Sequence, residues 1–247
     1  MESNNTLIRL EDISFAYPGD GFVLDKLNFS LTRGERVGLI GPNGCGKTTL
    51  FYIIMGLLKP TSGRIEIFGN TICGEKAFRS VREKIGLLFQ DSDDQLFSPT
   101  VIEDVAFGPL NIGKSPKETL LIVRDTLNKL DIAGLEGRVT YKLSGGEKRL
   151  AALATVLAMK PEILILDEPD SGLDSQTTER IIDVLNNLNL SCIITSHDID
   201  FLSKTTTKTY GMEKGRIYLE EEAIPHTHMH IHKGGKYPHE HKDDLDA

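Results

Sequence analysis

Apolar residues along this chain change period several times. Alternation over residues 7–17 and 22–31 predicts two strands joined by the turn Pro18-Gly19-Asp20-Gly21. Residues 37–40 and 163–166 are short apolar runs, which predicts strands buried on both faces. Further strands are expected over 64–69, 84–89, 191–195, 207–212 and 216–220. Helices are expected over 47–57, 101–110, 116–130, 145–159 and 175–188, with Lys59-Pro60-Thr61-Ser62-Gly63 closing the first and breaks at Gly113 and Gly134. The middle of the chain is helical and both flanks mix strand with helix. This predicts one α/β domain over residues 1–222 with a helical subdomain inserted at about residues 91–160. No internal repeat is visible.

Composition narrows the picture. The 247 residues suffice for one large domain, with 39% hydrophobic and 26% charged residues. A formal net charge of -8 leaves no broad basic field for nucleic acid, so no nucleic-acid partner is expected. No apolar run approaches the ~18 residues of a membrane span, and residues 151–159 read as a buried helix. Met1-Glu2-Ser3-Asn4-Asn5 lacks the pattern of a signal peptide. Three scattered cysteines, Cys45, Cys73 and Cys192, argue against a disulfide framework and fit a reducing cytosol. If the protein acts at a membrane, another polypeptide must hold it there. After residue 222 the apolar period stops. His226, His228, His230, His232, His239 and His241 are six of the 7 histidines, and residues 223–247 are expected to form a mobile tail.

Three motifs carry chemistry. Gly41-Pro42-Asn43-Gly44-Cys45-Gly46-Lys47-Thr48 is a complete phosphate loop, set between an apolar strand and a helix. Its glycines turn backbone N–H groups inward around phosphates, and the helix that follows points its positive end at them. Lys47 can neutralise the outer phosphates and Thr48 can offer its hydroxyl to Mg²⁺; Cys45 contributes only backbone. Ile163-Leu164-Ile165-Leu166-Asp167-Glu168 places Asp167 for the metal and Glu168 as general base toward an attacking water. Leu143-Ser144-Gly145-Gly146-Glu147 opens a helix capped by Ser144. It is a second anion-binding helix end. The economical use for it is the γ-phosphate held by a second copy, so that ATP is sandwiched in a dimer.

In this order the motifs resemble an ABC ATPase nucleotide-binding domain over roughly residues 7–222. The resemblance implies a P-loop NTPase, RecA-like core with an antiparallel β subdomain and an inserted helical subdomain. It implies ATP and Mg²⁺ as ligands. By position, Tyr17 resembles the aromatic that stacks on adenine, and Thr49 the residue touching the α-phosphate. Gln90 resembles the glutamine that senses the γ-phosphate and Mg²⁺. Ser171-Gly172-Leu173-Asp174 resembles the loop that crosses the dimer interface, and His197 the switch histidine at the γ-phosphate.

Gln90-Asp91-Ser92-Asp93-Asp94-Gln95-Leu96-Phe97 and residues 101–109 are similar to the ATPases of energy-coupling-factor importers. Ser92 where proline is common, and Asp170-Ser171 where Thr-Ala is frequent, depart from that pattern. The likeness implies integral membrane coupling and substrate-binding subunits as partners. It also implies a peripheral place on the cytoplasmic face of the membrane. His226, His228, His230 and His232 can share one face in an extended segment, and imidazoles suit Ni²⁺ and Co²⁺. The expected cargo is therefore nickel or cobalt, with a vitamin such as a cobalamin precursor or biotin as the alternative. A chromosome-organising or repair ATPase would carry a long coiled coil between Lys47 and Leu143, yet these lie only 96 positions apart without sustained heptads. A ribosome-associated protein would usually carry two such domains. A metal buffer leaves the phosphate loop unexplained. All motifs occur in one chain, so a homodimer suffices, and a paralogous partner is the alternative.

Overall fold

The computed structural model describes residues 5–19 and 21–219. The histidine tail, with His226, His228, His230 and His232, lies outside the described residues. In chain order the elements are β1 (Thr6–Ala16), β2 (Phe22–Thr32), β3 (Arg36–Ile40), α1 (Lys47–Ile54), β4 (Ser62–Ile67), β5 (Asn70–Thr71), α2 (Glu75–Arg82) and β6 (Ile85–Leu88). After a 3-10 turn at Ser92–Asp94 come α3 (Val101–Asn111), α4 (Pro116–Lys129) and α5 (Gly145–Leu157). The chain continues through β7 (Ile163–Asp167), α6 (Ser175–Asn187), β8 (Ser191–Thr195), α7 (Ile199–Thr205), β9 (Lys208–Glu213) and β10 (Arg216–Leu219).

Two sheets form. One is antiparallel, in the order β2-β1-β4-β5. Strand β2 buries alternate residues from Leu27 through Phe29 to Leu31, as a one-sided sheet requires, and a register shift at Lys26, φ +48, separates them from buried Leu24. The other sheet runs β10-β9-β3-β8-β7-β6, parallel except for β10. Strands β7 and β8 are buried at every residue. Their side chains separate by parity, as the pleat dictates. Ile163, Ile165 and Ile193 join the apolar core formed with α1 and the antiparallel sheet. Leu164, Leu166, Cys192 and Ile194 join the core under α3 to α6. The central sheet is thus the wall between two cores, which explains its lack of polar alternation.

Helices α4 and α5 begin with capping boxes. The Ser115 N–H donates to Glu118 Oε2 at 3.0 Å, and the Ser144 N–H donates to Glu147 Oε2 at 2.8 Å. Helix α1 stops at Ile54, three residues before the expected end, because Gly56 turns left-handed with φ +68 beneath the Phe78 ring. Two helices have no counterpart in the sequence reading. Helix α2 is short and mostly exposed, with only Val81 fully buried. Helix α7 has seven residues, too few to show a period, and is started by Asp198, whose carboxylate accepts from the N–H groups of Asp200 and Phe201.

Ile165 is fully buried in β7, between β8 and the edge strand β6. Ile165→Ala should cost about 2–5 kcal/mol of stability, read as a lowered midpoint in chemical denaturation with an unchanged slope.

Candidate functional site

Parallel strands bring their C-terminal ends to one edge, and that edge is where crevices form in sheets of this kind. The register is direct: Leu39 pairs with Thr195, Asp167 with Thr195, and Leu88 with Leu166. The residues following these four strands therefore meet. The phosphate loop leaves β3, Gln90 follows β6, Asp167 and Glu168 end β7, and His197 follows β8.

The loop is held open by its glycines and closed by its lysine. Gly44 and Gly46 have φ of +78 and +110, conformations that L side chains rarely adopt. A side chain at Gly46 would also meet Leu24, Met212 and the Val23 carbonyl within 3.0 Å. At Gly41 the Met212 carbonyl lies 2.2 Å from where a Cβ would sit, so the loop packs directly on β9. The Lys47 ammonium donates to the carbonyls of Gly41 at 2.7 Å and Pro42 at 3.2 Å, folding across the loop. Cys45 is buried with its Sγ 4.0 Å from that ammonium. Tyr17 stands beside the loop, its hydroxyl 3.3 Å from Thr49 Oγ1 and its ring edge-on to Phe15.

Across the loop lies a connected set of polar groups. The Thr48 hydroxyl donates to Asp167 Oδ2 at 2.7 Å. These are hard oxygen donors brought together at a helix N-terminus, a set that fits Mg²⁺. Thr195 clamps the other carboxylate oxygen. Its hydroxyl donates to Asp167 Oδ1 at 2.7 Å and accepts from the Glu168 N–H at 2.9 Å. Glu168 has a left-handed backbone, φ +47, unusual for a residue with a Cβ. That turn aims its carboxylate between two partners. Gln90 Nε2 donates to Glu168 Oε2 at 3.0 Å, and His197 Nε2 lies 3.3 Å from Glu168 Oε1. His197 Nε2 also sits 3.0 Å from Asn43 Oδ1, which returns the chain of contacts to the phosphate loop.

The profile of ABC transporters matches residues 24–171, more than half of the chain. The chain belongs to the ABC transporter family. Like the family's cassettes, it is an ATP-binding ATPase. It is 44% identical over 218 residues to the energy-coupling factor transporter ATP-binding protein EcfA of Methanothermobacter thermautotrophicus, covering 87% of this chain and 70% of that protein. Among solved structures it is similar to cbiO1 of Clostridium perfringens, described as part of the ABC transporter complex cbiONQ, with a TM-score of 0.78 and 37% identity over 87% of this chain and 88% of that one. It is also similar to the cassette MJ0796 in a dimeric post-hydrolysis state bound to ADP and Pi, with a TM-score of 0.79 and 25% identity over 85% of this chain and 96% of that one.

In this ABC ATPase the Ser144 helix end is separate from the phosphate loop. Ser144 and Gly145 are exposed, and Gly145 has open space where a side chain would be. Gly146 is different: a Cβ there would lie 3.0 Å from Thr177 Oγ1. The close neighbour at Gly146 is thus the chain's own α6. The Glu147 N–H donates to the Ser144 hydroxyl oxygen at 3.3 Å, and hydrogen bonds from the Ser144 N–H and then its hydroxyl help hold the Glu147 carboxyl ionised. A cleft of about 640 Å³ is lined by residues of both ends, among them Thr48, Gln90, Gly145 and Ser171.

Sequence reasoning missed three residues that hold this site. Thr195 ended an expected strand, residues 191–195, but was given no role. Asp170 lies in the loop after Glu168, and its Oδ2 accepts from the Ser196 hydroxyl at 2.6 Å. Burial raises its pKa above the ordinary carboxylate value, against the lowering effect of Ser196. Arg149 reaches back from α5 and is taken up below. The signal available for all three was position alone, next to a motif.

Thr195→Val should keep its shape but leave Asp167 Oδ1 and the Glu168 N–H without their partner. Each unmet group costs about 1–3 kcal/mol. We expect kcat for ATP to fall about 10- to 100-fold, while nucleotide affinity in the absence of metal stays at the wild-type level in a fluorescence titration. Wild-type kcat in this variant would show that the clamp is dispensable.

Proposed function

We propose that this chain is the ATP-hydrolysing subunit of an energy-coupling-factor importer. It works as a pair of copies at the cytoplasmic face of the membrane and energises the import of nickel or cobalt ions through the membrane partners. The observation that carries the ATPase part of this reading is Glu168. Its carboxylate is held between Gln90 and His197 at the mouth of the phosphate loop. There it accepts a proton from the water that attacks the γ-phosphate. Lys47 and His197 offset charge that builds on the transferred group, and Tyr17 and Thr49 seat the rest of the nucleotide. Thr48 and Asp167 would hold Mg²⁺, with Gln90 beside them. Bound there, the ion supplies neutralisation of phosphate charge. The geometry supports these roles, in which positioning and electrostatics do most of the chemistry.

The importer part rests on likeness and on one surface. EcfA proteins at 44% and 42% identity, and the cbiO1 neighbour, support the energy-coupling-factor assignment. Among the described residues no helix is long and apolar enough to cross a membrane, so a membrane partner must supply the path. Phe97 and Phe107 are 65% and 48% exposed and pack edge-on at 4.7 Å, just after the segment that follows Gln90. An exposed aromatic pair at this place suits a hydrophobic contact from such a partner. The cargo reading rests on the cbiO1 likeness and on the tail histidines. Among the described residues no group of three or more His, Cys, Asp or Glu is placed to hold a metal ion. A vitamin importer is the second reading, because the EcfA likeness supports the importer class without naming a cargo.

Glu168→Gln should bind ATP normally and lose turnover by about 100-fold or more, measured as phosphate release beside nucleotide binding. Full turnover in that variant removes Glu168 as the base. Deleting residues 223–247 should abolish Ni²⁺ and Co²⁺ binding by calorimetry while leaving ATPase activity intact; undiminished metal binding would remove the tail from the cargo argument.

A further inference from the structure

Arg149 lies one turn into α5, five residues after Ser144, and is 4% exposed. Its guanidinium grips three backbone carbonyls. Nη1 donates to Phe89 O at 2.7 Å, and Nη2 donates to Gln90 O at 2.6 Å and Glu168 O at 3.2 Å. Those carbonyls belong to the two segments that carry the γ-phosphate glutamine and the general base. Gln95 binds the same helix to the same strand end. Its Nε2 donates to Ala152 O at 3.0 Å and Thr155 Oγ1 at 2.8 Å, and its Oε1 accepts from the Phe89 N–H at 3.1 Å.

Packing does not require an arginine here. Burial presses the guanidinium below its ordinary pKa, and the carboxylates of Asp170, Asp91, Asp167 and Glu168 pull it back. Taking such a charge out of water is costly, and an apolar side chain of similar length would fill the space without that cost. What the planar fork adds is direction: it fixes three carbonyls relative to one another and to the helix axis. Helix α5 is rigid from its cap onward, since Ser144 and Glu147 lock its first turn. A shift at the Ser144 end must move Arg149, and bonds of 2.6 and 2.7 Å tolerate only about half an ångström of stretch before they leave hydrogen-bonding range.

We propose that Arg149 is the positioning residue that couples the two ATP sites of a dimer: when the Ser144 end meets the nucleotide of the second copy, its guanidinium passes the movement to Gln90 and Glu168 of its own subunit. This rests on the dimer reading above. Each subunit then aligns its own base only when its signature helix has found the other nucleotide, so hydrolysis is cooperative in ATP.

The test uses the full chain with Arg149→Met and Arg149→Lys. For Arg149→Met, binding of a fluorescent ATP analogue should stay within about threefold of wild type, kcat should fall about 30-fold, and the Hill coefficient should drop from above one to about 1. Arg149→Lys, which keeps the charge but not the fork, should recover part of kcat. Wild-type kcat and cooperativity in Arg149→Met would overturn the proposal. So would a parallel loss of binding, kcat and thermal stability in both variants, which marks a packing role only. Sedimentation of Glu168→Gln with ATP separates the two readings. If that protein stays monomeric, the dimer reading fails and takes the coupling with it. If it dimerises while Arg149→Met stays cooperative, the coupling alone is wrong.

Discussion

The parallel register of four strands is the constraint on which everything else depends. Leu39, Asp167 and Thr195 sit level across β3, β7 and β8, and Leu88 pairs one position earlier with Leu166. A slip of one residue would turn each strand's side chains to the opposite face. Ile163 and Ile165 would then point into the helical core, and Asp167 would leave Thr48. The two apolar cores on either side of the sheet penalise that slip heavily. Burial therefore does more than stabilise the protein. It aligns the strand ends to within the tolerance that hydrogen bonds of about 2.7 Å demand.

On that aligned edge the molecule tolerates local costs. Glu168 adopts a left-handed backbone. Asp170 is held with one carboxylate oxygen buried and without a protein partner. Arg149 is buried among carboxylates. Each would be avoided in a structure selected for stability alone, and strain of this kind gathers where geometry must be held for a purpose. The three are also neighbours. Arg149 holds the Glu168 carbonyl, and Asp170 follows Glu168 by two residues and ties to Ser196 beside His197. The strain is thus concentrated in one connected group around the proposed base.

Much of this was legible in the chain. Unbroken apolar runs at residues 37–40 and 163–166 announced doubly buried strands, and the glycine spacing of residues 41–48 has few physical uses besides a phosphate cradle. Less was legible where the signal is short or long-range. Helices α2 and α7 are too brief to show a period. Thr195 could be recognised only once β8 was known to lie beside β7, because its partners are 27 and 28 residues away. Arg149 reads as one more basic residue on a helix until the fold turns it inward toward carbonyls 59 and 60 residues back along the chain. Local chemistry can be read from spacing. Chemistry made by folding cannot.

The two helix ends also differ in a way that bears on assembly. Helix α1 has no acidic residue in its first turn, so its positive end is wholly available to phosphate. Helix α5 carries Glu147 in its first turn, where hydrogen bonds from Ser144 lower the carboxyl pKa and keep it ionised. That charge partly offsets the dipole. An anion would therefore gain less at α5 alone than at α1. A nucleotide should settle first in the phosphate loop and reach α5 only as part of a joint contact, when a second copy presents it. In the dimer proposed above, the asymmetry would give an order to the cycle: binding within each subunit would precede closure between them, and the α5 end would release once the γ-phosphate has gone.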